Sequence, residues 1–382
     1  MSTIAAQQPP YRGNRQTCLD VVVVATTGFA GGAEAYIANL YGALSRRGHR
    51  VGLLGQLKTW ASEIGPRVDI RSGPKWSLRT LGIGLLRQAR ERRELARALR
   101  QVEAKVFHLH FKREQIAFTR LLARSHPVVW TEHGIFPGGL FGMIIRPMYR
   151  RAARSAKVIV CVSEHVRKSI GPIVRNSCPV EVVPSAVDTT LFQPWTAERK
   201  AAARARLGLN PREPVVLFVG RMDAGKRPKL AIQAGLAAGT HVIVAGDGSE
   251  LERLRTEFPA DKVTFFGRVP SVWDIYPLAD VHLFTSDGRG EGFPTVLLES
   301  AAAGIPTVAT ADCGFSEEIK QAGGIAADPT EPALSAAIRT VLSDSDAALG
   351  QQCRGWAMRR DYSVLVDMYA RILCVEKGTD GG

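Results

Sequence analysis

Short runs of β-branched residues alternate with helical stretches along the chain, and this alternation restricts the fold more than any other feature. In the first half the predicted strands are Leu19–Thr26, Val51–Leu54, Val106–Leu109, Val128–Thr131, Val158–Val162 and Val180–Pro184. The helical patterns between them cover Ala33–Arg47, 78–101, 113–124, 140–154 and 163–170. A second series has predicted strands at Val215–Val219, His241–Ala245, Val263–Phe266, Val281–Phe284 and Thr307–Ala309. Such alternation predicts parallel sheets with helices on both faces, the α/β class.

Two tandem Rossmann-like, doubly wound domains are the simplest arrangement, because 382 residues exceed what one hydrophobic core usually supports. We expect a disordered lead-in over 1–17, an N-terminal domain over 18–190 and a C-terminal domain over 191–355. The stretch 187–199 is predicted as a linker, and 356–382 as a helix that crosses back to the first domain. Open parallel sheets bind ligands beyond the carboxyl ends of their strands, so we expect the domains to face each other across a cleft.

The net charge of +14 is concentrated in one part of the chain. Residues 71–175 contain 22 Lys and Arg against 6 Asp and Glu, which indicates an anionic partner such as a phosphate-bearing acceptor or an acidic membrane. Nucleic acid is not expected, because the basic region has no interleaved aromatic residues and no recognisable binding module. The six cysteines form no CxxC pair, which argues against a zinc site or a disulfide framework.

The chain is expected to be cytoplasmic. Its polar start has no apolar core of a secretory signal, and no stretch approaches the roughly 20 apolar residues of a membrane-spanning helix. The segment 135–154 runs from Phe, Ile and Met residues directly into arginines, and the predicted helix around 85–100 is also strongly basic. Two interpretations stay open: peripheral contact with the inner face of a membrane, or core helices with solvated basic faces.

The strongest candidate site is the segment EGFPTVLLE between Glu291 and Glu299. Gly292 and Pro294 favour a turn into a helix, with Pro294 at its first position, and N–H groups at a helix start bind phosphate well. Glu299 is predicted about two turns along this helix, on the same face as Glu291. The two carboxylates are then candidates for contacts with a sugar and with ribose hydroxyls.

This segment resembles the hallmark of the retaining GT-B glycosyltransferases, family four of that enzyme classification, in which two Glu are separated by seven residues. The resemblance covers about 20–375, with the motifs in family order. It implies a catalytic role for Glu291 and a ribose contact for Glu299. It also implies donor contacts by Gly292, Phe293, Pro294 and Thr295.

A second motif, GRMDAGKRP, follows the predicted strand Val215–Val219. Arg221 and Lys226 are two cations at the carboxyl end of a strand, a place suited to a diphosphate and its departing charge. The motif resembles the family's GR(L/M)xxxKG element, with Arg227 in place of the last Gly. The resemblance assigns Arg221 and Lys226 to the donor diphosphate.

Two weaker turns follow later strands of the second series. The turn at Gly246 resembles the family's GDGP turn and would let the donor approach the backbone closely. Arg268 and Val269 lie in a segment that resembles the one whose backbone contacts the nucleobase. A purely structural role is the open alternative for both turns.

In the first half, Gly28 to Glu34 resembles the family's GGAE loop, which implies that Gly31 and Gly32 bind the donor by allowing its phosphate close to the backbone at a helix start. A dinucleotide-binding loop is disfavoured, since the spacing is not GxGxxG and no acidic residue follows the second strand. Thr131 to Gly134 resembles the family's TxHG, which implies that His133 is a catalytic residue that faces the donor sugar or the acceptor.

Two other segments resemble the family with differences. Residues 163–167 are similar to the SE-type turn, and 183–192 to the element written PNGVDTxxF. Ser185 and Ala186 stand where the family has Asn and Gly, so the contact of that Asn is not carried over to this chain. Residues 287–290 read as an insertion before Glu291.

These resemblances imply a retaining transfer of a sugar from a nucleotide-diphosphate sugar, by default a UDP-sugar, to a hydroxyl of a glycan, a lipid-linked sugar or a small molecule. The second domain would hold the donor and the first the acceptor. No essential metal or other cofactor is expected, because the one DxD sequence, Asp344 to Asp346, reads as a turn or helix cap. The alternatives are a nucleotide-sugar epimerase on the same fold and a non-catalytic nucleotide-sugar binder.

Overall fold

The computed structural model describes residues 18–27, 31–70, 76–289, 291–343 and 347–373. The chain divides into two compact units. One comprises 1–184 together with 366–382, and the other comprises 185–365. Each unit is built around its own parallel sheet.

The first unit contains a seven-stranded sheet in the order β3-β2-β1-β4-β5-β6-β7, in which every pair of neighbours is parallel. The strands are β1 Leu19–Thr26, β2 Val51–Gln56, β3 Arg67–Val68, β4 Ala104–Leu109, β5 Val128–Glu132, β6 Val158–Cys161 and β7 Val180–Val182. The central strand β1 is apolar at nearly every position because helices cover both of its faces, and Val21 to Val23 are fully buried.

Five helices connect these strands: α1 Gly32–Arg46, α2 Leu81–Ala98, α3 Lys112–Leu122, α4 Gly139–Ala153 and α5 Glu164–Val174. Helix α3 packs against both α2 and α4, and α4 packs against α5. The row α2 to α5 therefore covers one region of the sheet, with α2 and α4 on either side of the largely buried α3.

The second unit contains a six-stranded parallel sheet in the order β10-β9-β8-β11-β12-β13. Its strands are β8 Val215–Val219, β9 His241–Ala245, β10 Val263–Gly267, β11 Val281–Phe284, β12 Thr307–Thr310 and β13 Ile325–Ala327. Its helices are α6 Ala197–Arg206, α7 Pro228–Ala237, α8 Leu251–Glu257, α9 Thr295–Ala302, α10 Ser316–Gln321, α11 Glu331–Ser343 and α12 Ala347–Met358.

Alternate residues of these strands enter two different apolar clusters. Val215 and Leu217 belong to the cluster that includes α9 and α12, whereas Val216 and Phe218 belong to the one that includes α7 and α11. Side chains of a strand point alternately to the two faces of its sheet, so this division shows a sheet buried on both sides.

Each sheet has one point at which the strand order reverses direction. In the first unit it lies between β1 and β4, and in the second between β8 and β11. Open α/β sheets bind their ligands in the crevice that forms beyond the strand ends at such a point. The segments after these four strands are therefore where a site is expected in each unit.

The predicted strands coincide with observed ones, but two short strands were not predicted. β3 and β13 are both edge strands, two and three residues long. A strand of that length is too short to show a periodic pattern. The predicted GT-B class of two Rossmann-like units is confirmed by the two sheets.

The end of the chain differs from the single helical stretch predicted at about 348–375. It forms two helices, α12 and α13 Tyr362–Leu373, separated at 359–361. Asp361 interrupts them because its carboxylate accepts hydrogen bonds from the Thr189 N–H and hydroxyl, and it pairs with Val187 in an isolated bridge.

The predicted linker is also different. Residues 187–192 pack within the second unit, where Phe192 is part of the apolar cluster and Arg354 donates to its carbonyl. The expected disordered lead-in at 1–17 lies outside the described residues. Among the described ranges, no helix combines the length and the apolar character that crossing a bilayer requires.

Candidate active site

The loop after β8 places two of the predicted donor-binding cations beside the reversal point of the second sheet. Arg221 is exposed, and its guanidinium forms an ion pair with Asp223 at 2.8 Å. The other carboxylate oxygen of Asp223 accepts the Lys226 N–H at 3.2 Å, which caps a 3₁₀ turn at Ala224–Lys226. This cap fixes the backbone from which the Lys226 side chain extends.

Lys226 and Glu291 meet across the reversal point. They follow β8 and β11, which are neighbours in the sheet, and the Lys226 ammonium forms an ion pair with Glu291 Oε1. The Ser286 hydroxyl donates to the same oxygen at 3.2 Å. Burial, with a further contribution from the nearby Arg221, lowers the pKa of Lys226 to about 8. The structure thus joins a predicted catalytic carboxylate to a predicted diphosphate-binding cation.

Arg227, the residue that replaces the family's glycine, has a left-handed backbone with φ 49° and ψ 50°. Glycine adopts this conformation without strain, which explains why the family's motif has glycine there. In this chain the Arg227 guanidinium makes two hydrogen bonds to Asp312, at 2.7 and 3.0 Å. The Thr285 hydroxyl donates to the Lys226 and Arg227 carbonyls and holds the turn against the end of β11.

Glu299 lies within α9, but Glu291 does not. The helix begins at Thr295 and Pro294 is its N-cap residue, so the prediction that Pro294 occupies the first helical position was wrong. The two carboxylates are therefore not two turns apart on one helix face. Glu291 is held instead by a turn, in which its N–H donates to the Gly288 carbonyl.

The Glu299 carboxylate is held by a buried tyrosine. Tyr276 donates a 2.8 Å hydrogen bond to Glu299 Oε2. Burial raises the pKa of Glu299, while hydrogen bonds from Tyr276 and Thr295 act in the opposite direction. The hydrogen bond from Tyr276 fixes the orientation of the Glu299 carboxylate, which keeps lone pairs that can accept further hydrogen bonds from a ligand.

The residues between the two glutamates are packed tightly. Gly292 and Pro294 are buried, and Phe293 packs its ring edge against Phe315 with 5.4 Å between ring centroids. Thr295 begins α9. Phe293 thus fixes the loop that leads from Glu291 into the helix.

The two weaker turns lie at the ends of neighbouring strands. A Cβ on Gly246 would lie 1.8 Å from the Gly220 carbonyl oxygen, so the close approach in the structure is between two loops of this unit. Gly246 donates its N–H to the Gly267 carbonyl at 2.8 Å. Beyond that point Arg268 is exposed, and Val269 packs on the apolar cluster beside α9.

In the first unit, Gly31 is the N-cap residue of α1 and Gly32 begins the helix. The Gly31 N–H donates to Glu34 Oε2 at 3.1 Å, and the Thr27 hydroxyl donates to the other oxygen at 3.0 Å. A Cβ on Gly32 would meet nothing within 4 Å. Glu34 therefore orders the start of α1, while Gly32 borders open space.

His133 follows β5 and is hydrogen-bonded to another histidine. Its Nε2 lies 2.9 Å from Nδ1 of His110, and its ring is 5.1 Å from that of Tyr36. Burial lowers the pKa of His133 to about 3, with a smaller contribution from the charge of Lys112. The imidazole is neutral at physiological pH.

Two buried residues beside His133 were not identified from the sequence. His108 and His110 both lie at the end of β4, where the letters HLH place them on one side of the strand. The alternation of histidine and leucine over 108–110 was the sequence signal that could have identified these two residues. Tyr41 joins them, with its hydroxyl 2.6 Å from His108 Nδ1 and 2.9 Å from His110 Nε2.

Other motif residues have local structural roles. Ser163 caps α5 by accepting the Val166 N–H, and Asp188 accepts the Thr190 and Leu191 N–H groups. Gly28, Gly290 and the DxD sequence at 344–346 lie outside the described residues. Among the residues that the structure describes, no group of three or more His, Cys, Asp and Glu side chains has the arrangement of a metal site.

The basic, apolar segments form two helices with different faces. α4 buries Ile145 and Tyr149 and exposes Leu140 and Met143, 60% and 72% accessible. α2 exposes Leu86 and buries Glu91. The buried Glu91 forms an ion pair with Arg113 of α3 at 2.6 Å, so α2 is not simply a solvated basic helix.

Family models match most of the chain. The model for Glycosyltransferase Family 4 matches residues 30–191, and that for Glycosyl transferases group 1 matches residues 199–356. The first match begins after β1 and covers the rest of the first sheet, and the second covers the whole of the second sheet. The chain belongs to the family of GT-B glycosyltransferases that these two models describe.

The curated relatives are partial matches. A GDP-mannose-dependent alpha-(1-6)-phosphatidylinositol monomannoside mannosyltransferase of Mycobacterium tuberculosis is 29% identical over 62% of this chain and 66% of its own length. A D-inositol 3-phosphate glycosyltransferase of Segniliparus rotundus is 33% identical over 40% of this chain and 36% of its own length. The matches thus span less than two thirds of these relatives.

Solved structures share the fold over nearly the whole chain. Anabaena Alr3699/HepE, crystallised in complex with UDP, has a TM-score of 0.79, with 94% of this chain and 100% of that chain covered at 19% identity. WaaG, a glycosyltransferase involved in lipopolysaccharide biosynthesis, has a TM-score of 0.65 over 94% and 100% of the two chains, also at 19% identity. These likenesses show a GT-B fold.

Proposed function

We propose that this chain transfers a sugar from a nucleoside-diphosphate sugar to an acceptor hydroxyl with retention of anomeric configuration. The observation that supports this most is the contact of Lys226 with Glu291 at the reversal point of the second sheet, with Arg221 exposed nearby. Two cations and a carboxylate in such a place suit a diphosphate joined to a polar sugar.

In this proposal Arg221 and Lys226 bind the donor diphosphate and offset the charge that develops as it departs. Fixed cations aimed at developing charge are among the largest contributions to catalysis. Glu291, oriented by Ser286 and Lys226, contacts the sugar. Glu299, fixed by Tyr276, accepts from the ribose hydroxyls.

Retention is proposed to follow attack on the face that the diphosphate leaves, with a phosphate oxygen as the base. Glu291 is already engaged in an ion pair with the Lys226 ammonium, so this proposal does not assign it the role of a covalent nucleophile. Arg221 and Lys226 supply positive charge at the diphosphate without a metal ion. The expectation that no essential metal takes part remains part of this proposal.

The first unit is proposed to receive the acceptor. The neutral His133 can accept from or donate to a sugar hydroxyl, and Gly31 and Gly32 allow a phosphate near the start of α1. The relatives named above act on phosphatidylinositol mannosides and inositol phosphate, which supports an acceptor that is lipid-linked or phosphate-bearing.

Peripheral membrane contact is proposed on a different observation. Leu86 of α2 and Leu140 and Met143 of α4 are exposed beside arginines of the same helices. Exposed apolar side chains next to arginine suit the interface of an anionic membrane. A membrane position of this kind would give access to a lipid-linked acceptor.

The donor is tested by thermal stabilisation with UDP, GDP and their sugar conjugates, comparing wild type with Arg221→Ala. A ligand at 100 times its dissociation constant stabilises by about 2.7 kcal/mol, so a bound donor raises the melting temperature clearly. We expect one base to stabilise selectively and Arg221→Ala to lose that shift. The prediction of UDP competes here with GDP, which the mannosyltransferase relative uses.

Arg289→Ala is the matched control, since Arg289 is also an exposed arginine paired with an aspartate, and it lies two residues before Glu291 in the chain. A shift that both variants lose would point to general charge, and no shift with any nucleotide would contradict a donor site. Turnover then separates the alternatives. An epimerase converts the bound nucleotide sugar with no acceptor present, whereas a binder never converts it.

A further inference from the structure

The groove between the last turns of α4 and α5 is lined by arginine side chains. They are Arg146, Arg150, Arg151, Arg154 and Arg175. Pro147, Pro172 and Ile173 complete a cavity of about 570 Å³, and no carboxylate lines it. Within the described ranges, none of the five guanidinium groups takes part in an ion pair, which sets this groove apart from other arginines of the chain.

Two further details distinguish the residues of the arginine groove. The Nε of Arg150 is buried and has no hydrogen-bond partner among the described residues. A buried donor without a partner is unfavourable in the folded chain. Arg175, directly after α5, has φ 51° and ψ −133°, a backbone conformation that is unfavourable for a non-glycine residue.

The arginine groove lies toward the amino ends of the strands of the first sheet, whereas His133 follows the carboxyl end of β5. α4 begins at Gly139, soon after the carboxyl end of β5, and ends at Ala153, before β6 begins at Val158. At 1.5 Å per residue the helix is roughly 22 Å long, so its last turn is far from the strand ends where a sugar would bind. The groove is therefore separate from the candidate active site.

We propose that the arginine groove binds a phosphate-bearing anion. Guanidinium groups match phosphate oxygens with paired hydrogen bonds, and several arginines in one concavity repel each other unless an anion is present. A free polyphosphate compound and the headgroup of an anionic lipid share this chemistry. The proposal does not depend on the glycosyltransferase activity.

The test titrates the full chain with inorganic tripolyphosphate at low salt by calorimetry. We expect binding that the double variant Arg150→Gln, Arg154→Gln weakens at least tenfold, since it removes two guanidinium groups that can make charged hydrogen bonds to the anion. Arg206→Gln with Arg253→Gln removes the same charge from exposed helix positions of the second unit and should bind like wild type. The double variant Arg150→Gln, Arg154→Gln is called the groove variant. Lys226→Met should keep the tripolyphosphate binding that the groove variant loses, and this difference would separate the arginine groove from the proposed donor site.

A second arm measures cosedimentation with phosphatidylcholine vesicles that contain or lack phosphatidylglycerol. Loss of vesicle binding in the groove variant, without tripolyphosphate binding by wild type, would assign the lipid headgroup as the source. Equal binding of both probes by wild type and the groove variant, or binding of neither, would overturn the proposal. Arg154→Gln alone, at an exposed position, serves if the double variant does not fold.

A separate observation concerns the buried side chains behind His133. Five polar side chains form one hydrogen-bonded series: Tyr369, Thr131, His108, Tyr41 and His110. Its last member, His110, bonds to Nε2 of His133. Burial lowers the pKa of His108 to about 3 and that of His110 well below its ordinary value, so these imidazoles are neutral, each with one N–H.

The Tyr41 hydroxyl has one hydrogen and two imidazole partners, so it donates to one and accepts from the other. If it donates to His110, then His110 donates from Nδ1 and His133 holds its own proton on Nδ1. If it donates to His108, then His110 accepts from His133, and Nδ1 of His133 becomes an acceptor. Tyr41 therefore couples the protonation of all three rings.

We infer that Tyr41 and His110 are positioning residues that fix which nitrogen of His133 carries its proton. This inference rests on the proposed function only for its catalytic consequence, since a hydroxyl ligand needs one defined partner at Nδ1. The test is ¹⁵N NMR of histidine-labelled protein, in which the two tautomers give distinct nitrogen shifts. We expect one tautomer at His133 in wild type and a mixture in Tyr41→Phe.

Phe111→Leu is the matched control, because the Phe111 ring lies 6.4 Å from that of His133 and has no polar group that could join the series. An unchanged His133 spectrum in Tyr41→Phe would overturn the inference, whatever the donor proves to be. If donor turnover is established, Tyr41→Phe should lower kcat at least threefold with the donor KM unchanged. Loss of turnover with an unchanged spectrum would mean a purely structural effect.

Discussion

The two sheets place chemically different groups at the carboxyl ends of their strands. After β8 and β11 lie charged side chains, with Lys226 and Glu291 in contact and Arg221 exposed. After β4 and β5 lie neutral imidazoles, His110 and His133, in a hydrogen-bonded series. Both pairs follow neighbouring strands, so topology alone does not set their character. The residue types decide which site suits a diphosphate and which suits hydroxyl groups.

Burial acts on the two sites in the same physical way but with different outcomes. It lowers the pKa of His133 to about 3, which leaves this group neutral at any physiological pH. It lowers the pKa of Lys226 only to about 8, which leaves that group largely charged at pH 7. A lysine begins with a pKa about 4 units above that of a histidine, and similar desolvation therefore leaves it a cation.

The largest effect is expected from Glu291→Gln and Lys226→Met, which remove charge from the second site. If the proposal is right, each lowers kcat by about 10²–10³-fold, because a fixed group aimed at developing charge contributes roughly that much. Steady-state kinetics with the donor identified above measures this. His133→Gln, which changes no charge at neutral pH, should lower kcat less than either of these two substitutions. Unchanged turnover in Glu291→Gln would remove its catalytic role.

A pair of glycines provides the next comparison. Gly246→Ala should destabilise the chain by about 3 kcal/mol or more, because its Cβ would clash with the Gly220 carbonyl at φ 148°. Gly32→Ala, in the first unit, should change stability by less than about 1 kcal/mol, since its Cβ meets nothing within 4 Å. Urea unfolding measures both, and similar losses would contradict the packing of the Gly246 turn.

Low pH should change folding stability through the histidines, and high pH should change donor binding through Lys226. Folded-state pKa values of about 3 for His108 and His133 mean that the unfolded chain binds more protons between pH 3 and 6.5. Stability should therefore fall as pH drops below 6.5, by up to about 1.4 kcal/mol per pH unit for each histidine. His133→Gln should flatten this slope in urea titrations at several pH values. A slope that is the same in wild type and variant would be evidence against a neutral buried His133.

Lys226 should weaken donor binding as the pH rises, whereas the histidines lower folding stability as the pH falls. Because its pKa is lowered to about 8, donor affinity should decrease as pH rises through 8, and Lys226→Arg should remove that decrease. The same lowered pKa means that the unfolded chain binds more protons between pH 8 and 10.5, so its contribution to folding stability becomes more favourable as pH rises there. Calorimetric titration of the donor at pH 7 and pH 9 compares the wild type with Lys226→Arg, and only the wild type should bind more weakly at pH 9.

The smallest effect concerns the strained turn at Arg227. Arg227→Gly loses the exposed pair with Asp312 but removes the left-handed strain, so stability should change by less than about 1 kcal/mol. Arg227→Ala loses the pair and keeps the strain. The two variants should differ by about 1 kcal/mol in urea unfolding, and an equal stability would mean that φ 49° costs nothing here.

The sequence alone determined the fold class and most strand positions, because buried parallel strands need long apolar, β-branched runs and these are local features. Strands such as Leu19–Thr26 and Val215–Val219 were predicted with the observed bounds. The motif residues were also found locally, since Gly, Lys and Glu at fixed spacings are visible in the letters. The family assignment followed from their order.

Tertiary structure decided which of these residues meet. Lys226 and Glu291 are 65 positions apart, and only the adjacency of β8 and β11 brings them into contact. The series through His108, Tyr41 and His110 joins α1 to β4 in the same way. Asp361 breaks the terminal helix because of its bonds to Thr189, a residue 172 positions away. Contacts between distant segments depend on strand order and burial, which no local pattern encodes.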